Sequence, residues 1–173
     1  IYPRCFKGDI RKIYAQGEVF LEVAHDKKHP FIVESDDFKL QVLGTKFNIS
    51  NYKGGATNIV LVEGAVEVTD KNEKKARLNP NDLLNIANGT IAYQKQVDVA
   101  EYISWVEGIM LLNGNDLSQI IQRLSIYYGI SIQCDPIIGK EKVYGKLDLK
   151  DDIDEVIECI QQTLPFTIEK SDT

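Results

Sequence analysis

The sequence has little of what metal or nucleophile chemistry uses: among 173 residues there are two histidines, three cysteines, one methionine and one tryptophan. Cys5, Cys134 and Cys159 form no C-x-x-C pair, and an odd number leaves at least one thiol unpaired within the chain. They read as small buried hydrophobes rather than as a disulfide framework. His25 and His29 stand in His25-Asp26-Lys27-Lys28-His29-Pro30. Their i, i+4 spacing would suit a metal on a helix, but Pro30 and the surrounding charge mark a loop. No apolar run approaches the ~20 residues of a membrane-spanning helix. Positive charge is not in excess either: 20 Lys and Arg against 26 Asp and Glu give −6. The basic residues are scattered, which argues against a nucleic-acid or anionic-membrane surface and favours a protein partner or a neutral ligand. GxSxG, P-loop, GxGxxG and EF-hand patterns are missing, and the densest carboxylate cluster, Asp148 to Glu155, is explained by helix capping. No catalytic residue, metal ligand or cofactor is therefore assigned, and the chain is not expected to be an enzyme.

What is present is the composition of a folded protein, 43% hydrophobic and 27% charged. The chain opens at Ile1 without a signal-like segment and reads as a fragment of something longer. From Gly17 to about Gln94, short runs rich in Val, Ile, Phe and Leu alternate with Gly, Asn, Asp and Pro, the pattern of an all-β domain. The expected strands are Val19 to Val23, Phe31 to Glu34, Lys39 to Leu43, Phe47 to Ser50, Asn58 to Val62, Ala65 to Thr69, Leu83 to Ile86 and Ile91 to Gln94. In Ala65 to Thr69 the two valines fall on one face, as a half-buried strand requires. Asn88-Gly89 is the strongest hairpin signal, because both residue types tolerate φ > 0. Val99, Tyr102, Ile103 and Val106 have helical spacing and predict a short connector over 98–107, with Tyr102 and Trp105 packed at a joint between the halves.

The second half contains a repeat. Leu117, Ile120, Ile121 and Leu124 occupy i, i+3, i+4 and i+7, and Ile153, Val156, Ile157 and Ile160 repeat the pattern at an offset of 36 residues. Ile109 to Leu112 maps onto Gly145 to Asp148, and Ile130-Ser131-Ile132 onto Phe166-Thr167-Ile168. Each unit reads as strand, amphipathic helix, strand. Asn115 or Asp116 is placed to cap the first helix, with Gln119 completing a box, and Gly129 to end it; Asp151, Asp152 and Asp154 crowd the first turn of the second, and Pro165 stops it. The predicted architecture is thus two-domain: an all-β domain over 1–97, sandwich or jelly-roll-like or solenoid-like, a connector over 98–107, and a small α+β domain of two βαβ repeats over 108–173.

An ordered series of motifs carries a resemblance: Tyr2-Pro3, Phe6, Gly8, Arg11, Gly17-Glu18 to Val23, Pro30-Phe31 to Val33, Val42-Leu43-Gly44-Thr45 with Phe47-Asn48-Ile49, and Leu61-Val62-Glu63-Gly64 to Val68. Together they closely resemble the periplasmic region of FecR-type anti-sigma factors. Leu78 to Asp82 is similar to the family's L-x-P-G-[DE] turn, with Asn81 in place of Gly. Trp105, Gly108, Asp116-Leu117, Leu124 and Tyr128-Gly129-Ile130 resemble the FecR C-terminal domain, which is related to the secretin/TonB short N-terminal fold. The family's strands before Tyr2-Pro3, including an Asp-Gly-Thr turn and a Trp-Leu-Asn strand, are missing here, which implies a β-domain incomplete at its N-terminal edge.

The resemblance implies the periplasmic sensor of a single-pass inner-membrane protein. Such a protein would receive a signal from the periplasmic signalling domain of an outer-membrane TonB-dependent transporter, and would release an extracytoplasmic-function sigma factor held by a cytoplasmic segment. Val143 to Leu149 is the candidate contact strand, with Val143, Gly145, Leu147 and Leu149 facing inward and Tyr144, Lys146 and Asp148 facing a partner. An internal strand paired within the domain explains that pattern equally well. The alternative function is a periplasmic carbohydrate- or small-ligand-binding β-domain, with Tyr52, Tyr93 or Tyr102 as stacking residues. Asn48-Ile49-Ser50 and Asn88-Gly89-Thr90 match the glycosylation sequon but are explained as strand-end and turn residues. Tyr127-Tyr128 reads as packing at a helix end.

Overall fold

A computed structural model describes Phe6 and residues 8–52 and 54–167. The chain divides into two compact units, Ile1–Ile103 and Ser104–Thr173, each with its own core.

Among the described residues the first unit contains ten strands: β1 (Arg11–Tyr14), β2 (Gly17–Val23), β3 (Phe31–Glu34), β4 (Phe38–Val42), β5 (Thr45–Asn51), β6 (Thr57–Glu63), β7 (Val66–Asp70), β8 (Lys75–Leu78), β9 (Asp82–Ala87) and β10 (Thr90–Gln96). They form two five-stranded sheets, ordered β1-β3-β4-β7-β8 and β10-β9-β6-β5-β2. All pairings are antiparallel except β1 with β3. Alternation drives the layering. Val33, Leu40 and Val68 from one sheet and Phe47, Ile49, Ile59, Leu61 and Leu84 from the other are all fully buried in one shared cluster. Two apolar inner faces thus close on each other in a sandwich-like arrangement. The outer face of the β1 sheet is charged, with ion pairs between Lys12 and Glu34 and between Lys75 and Glu67.

The turns follow from residue chemistry. Asn88 and Gly89 both have positive φ, 52° and 73°, and close the β9–β10 hairpin as the two-residue signal predicts. Asn81, standing where the family pattern has Gly, has φ of 70°. Asparagine tolerates that conformation better than most residues, so the turn survives the exchange. Two strands escape the sequence reading, β1 and β8, and both are edge strands of one sheet.

α1 (Ala100–Ile103) ends the first unit, and a 3₁₀ turn over Ser104–Glu107 opens the second. The second unit follows with β11 (Ile109–Asp116), α2 (Leu117–Tyr128), β12 (Lys142–Asp148) and α3 (Ile153–Thr163). β11 and β12 pair antiparallel, with Ile109 opposite Asp148 and Leu112 opposite Gly145. Under the 36-residue offset these two pairs exchange, so the ladder maps onto itself. The apolar faces of both helices bury against this ribbon: Leu117, Ile120, Ile121 and Leu124 from α2 and Val156, Ile157 and Ile160 from α3, with Met110, Leu112, Val143, Leu147 and Leu149.

The predicted third strand of the first repeat is corrected. Ile130 to Ile132 forms no strand, because its donors serve the end of α2: the N–H of Ile130 bonds the carbonyl of Ser125 and that of Ile132 bonds Ser125 Oγ. Gly129, in the left-handed conformation, bonds the Ile126 carbonyl and completes a Schellman cap. In its counterpart, Phe166 and Thr167 are irregular and Ile168 lies outside the described residues. Each described repeat is therefore strand then helix. The capping box at Asp116 is also absent: that side chain makes no cap bond and instead pairs with Lys142 at 2.8 Å. Asp152 caps α3 as expected, accepting from the N–H of Glu155.

Candidate functional site

The outer edge of β12 carries the predicted contact residues. Leu149 N–H bonds Gly108 O at one end of the β11–β12 ladder, and Leu117 N–H bonds Glu141 O at the other. Odd-numbered positions of β12 thus turn their backbone groups toward β11. In an antiparallel strand the alternate positions must turn theirs away, so Lys142, Tyr144, Lys146 and Asp148 direct N–H and C=O to an edge that no described strand occupies. Tyr144 is 66% exposed, and Lys146 and Asp148 are exposed beside it. Val143, Leu147 and Leu149 are buried as predicted.

Gly145 is not: it is exposed, which corrects the inward assignment. Its φ of 134° is one that L side chains rarely adopt, and the alternation breaks there. A Cβ at this position would touch nothing within 4 Å, so interior packing does not explain the glycine. The Tyr144 ring leans over Gly114, a φ +74° residue in the bulge of β11, where a Cβ would come within 2.9 Å of the hydroxyl.

The other candidates are placed as follows. His29 Nδ1 lies 2.7 Å from Asp26 Oδ2, which holds the Asp26 carboxyl below its ordinary pKa, while His25 backs onto Gly44. Among the described residues no group of three or more His, Cys, Asp or Glu could hold a metal. Cys134 and Cys159 are free thiols; Cys134 is half-buried, which pushes its thiol up, Cys159 is exposed, which corrects its reading as a buried hydrophobe, and Cys5 lies outside the described residues. Tyr52 sits just past β5 with its hydroxyl on Glu18, Tyr93 is on β10 beneath Lys95, and Tyr102 is in α1. Two shallow clefts on the outer face of the β1 sheet include none of these three. Trp105 packs against the core of the second unit. Tyr128 donates to the Leu149 and Asp151 carbonyls while Tyr127 stays exposed. Asn48 is buried with its amide on Glu18, out of reach of a glycosylating enzyme in the folded chain, whereas Asn88 is exposed at a hairpin tip.

Sequence reasoning missed two buried carboxylates that organise the first unit. Asp70 accepts from the N–H groups of Asn72 and Lys74 in its own turn and of Ile91 on the opposite sheet, and these bonds, that from Ile91 foremost, hold its pKa down. Asp82 accepts from Asn79 N–H and from the Gln94 and Gln96 amides. The available signal was an Asp opening a turn, as in Asp70-Lys71-Asn72.

These features define a class: a two-unit protein of a β sandwich and a small α+β ribbon domain with an exposed strand edge. Comparison with known proteins narrows it. The family described as FecR protein matches residues 6–67, and FecR, C-terminal, matches residues 109–173. Two crystal structures of a candidate anti-sigma factor from Parabacteroides distasonis ATCC 8503, at 1.65 and 2.50 Å, are similar over 99% of this chain at 30% identity. Their TM-scores are 0.82 and 0.81, over 82% and 81% of those chains. No curated protein matches. The chain belongs to the FecR family of anti-sigma factors. Members of that family are membrane-spanning regulators rather than enzymes; among the described residues here no helix is long and apolar enough to cross a membrane.

Proposed function

We propose that this chain is the periplasmic sensor of a FecR-type regulator and that it receives the signalling domain of an outer-membrane TonB-dependent transporter along β12. The contact would be relayed through a membrane helix to release an extracytoplasmic-function sigma factor. The observation that carries the reading is the outer edge of β12, where four consecutive alternate residues turn backbone donors and acceptors away from the domain. A strand from a partner would satisfy those groups, with Tyr144, Lys146 and Asp148 supplying side-chain selectivity. In the test, the chain is titrated calorimetrically with the signalling domain of the transporter encoded beside it. Saturable binding is expected, and Lys146→Ala is expected to weaken it while shifting stability by less than ~0.5 kcal/mol, because the side chain is exposed. Absence of binding, or a Lys146→Ala variant that melts early yet binds normally, refutes the proposal.

A further inference from the structure

We infer that β12 also pairs with β12 of a second copy of this chain, forming a four-stranded β11-β12-β12′-β11′ sheet about a twofold axis at Gly145. Only positions 142, 144, 146 and 148 turn backbone groups outward, so an antiparallel self-pairing must set even positions against even positions. The register that overlaps the whole strand places Lys142 opposite Asp148′, Val143 opposite Leu147′, Tyr144 opposite Lys146′ and Gly145 opposite Gly145′. Every pairing of exposed side chains is then favourable: two Lys–Asp pairs, in which Lys142 bridges Asp148′ and the Asp116 of its own chain, 2.8 Å away, and two cation–aromatic pairs. Sliding by one step in either direction sets Lys146 against Lys146′, or Lys142 against Lys146′ and Tyr144 against Tyr144′. Of these three registers, those with the longest overlap, one is self-complementary.

Gly145 supplies the second argument. At the axis its own copy would lie in a non-hydrogen-bonded pair, where Cα atoms approach to about 4.5 Å. Its φ of 134°, beside the bulge of β11, already calls for glycine; what the position adds is room, since a Cβ there would meet nothing within 4 Å and a second backbone can come close at the axis. The contact is short, well below the ~800 Å² per partner of a stable complex, so association is weak and concentration-dependent.

The regulatory consequence rests on the function proposed above: self-pairing and transporter binding would use the same edge and exclude each other. Sedimentation equilibrium of the 173-residue chain from about 10 μM to about 1 mM is expected to show a monomer–dimer equilibrium. Asp148→Lys opposes lysines at both ends and is expected to weaken dimerisation roughly ten- to thirtyfold. In an Asp116→Asn background, which removes the carboxylate that faces position 142 within the chain, Lys142→Asp with Asp148→Lys reverses each pair and is expected to restore it to within about threefold of the wild type. Trp105 fluorescence verifies that both variants are folded. A wild-type chain monomeric throughout, an unaffected Asp148→Lys, or a folded charge-reversed variant that stays monomeric overturns the inference. The signalling domain is expected to dissolve the dimer as it binds. A monomeric chain that still binds it overturns this inference alone, and a charge-sensitive dimer that binds no signalling domain overturns the functional proposal alone.

Discussion

Leu124→Ala tests whether the second unit stands on its own core. Leu124 is fully buried on α2, among Ile120, Ile121, Ile157 and Ile160. Removing its branched end forfeits the transfer free energy and leaves a cavity, together about 2–5 kcal/mol. A unit of about 70 residues has a total stability of only roughly 4–10 kcal/mol, so the substitution removes a large part of it. At about 4–8 °C per kcal/mol for a domain of this size, the expected fall in Tm is about 8 °C or more. The protein carries its own probe. Trp105 is the single tryptophan and packs against this core, whereas strand circular dichroism comes mainly from the first unit. In thermal unfolding of Leu124→Ala, the tryptophan transition should move down while the strand transition stays within about 2 °C. Leu40→Ala, fully buried in the first unit, should do the reverse. If the tryptophan signal does not move, Leu124 is not in the core that holds Trp105. If both signals move together in both variants, the two cores do not unfold separately and the division of the chain is wrong.

Asp70 should make the first unit sensitive to acid. Its folded pKa is lowered, so the native state binds fewer protons than the unfolded chain; its contribution is complete above the ordinary carboxylate value and is lost as pH falls through the lowered one. Asp70→Asn is expected to flatten the acid limb of a Tm-against-pH profile, and an unchanged limb would refute the role. Gly44→Ala should destabilise the same unit by about 1–3 kcal/mol, because a Cβ would come within 2.5 Å of His25 Cα, a backbone atom that cannot swing aside. Urea titration gives the value, and a loss under about 0.5 kcal/mol would mean that the loops between β2 and β3 and between β4 and β5 separate freely.

Legibility in the sequence followed how many neighbours constrain each residue. Central strands such as β4 and β6 are packed on the inner face and paired on both edges, and the alternation of the one and the apolar run of the other were plain. β1 has one buried residue, Ile13, and β8 one, Leu78; the remaining positions are charged, small or exposed, as suits strands that need only one paired side. These two short edge strands carry half the signal and were missed, whereas the seven-residue edge strands β2 and β10 were read. The helix pattern of the second unit was legible because four apolar residues per helix face one core. Ile130 to Ile132 misled for the opposite reason. Alternation records which side chains can be buried, and says nothing about where the N–H groups go, which here is Ser125.

The candidate site was legible in its side chains and not in its backbone. Tyr144, Lys146 and Asp148 alternate with buried Val143 and Leu147, and that much is periodicity. Whether their strand is internal or an edge depends on the pairing partner, a non-local fact that no window of sequence contains. Gly145 is the residue where the two kinds of information meet. The repeat sets an apolar residue, Ile109, at the equivalent position, so the 36-residue pattern predicts a side chain where the chain has none. Within the domain its φ of 134° calls for a glycine, and the missing side chain leaves open space over the strand. A departure from the repeat that leaves the backbone bare suits an edge that pairs with another chain.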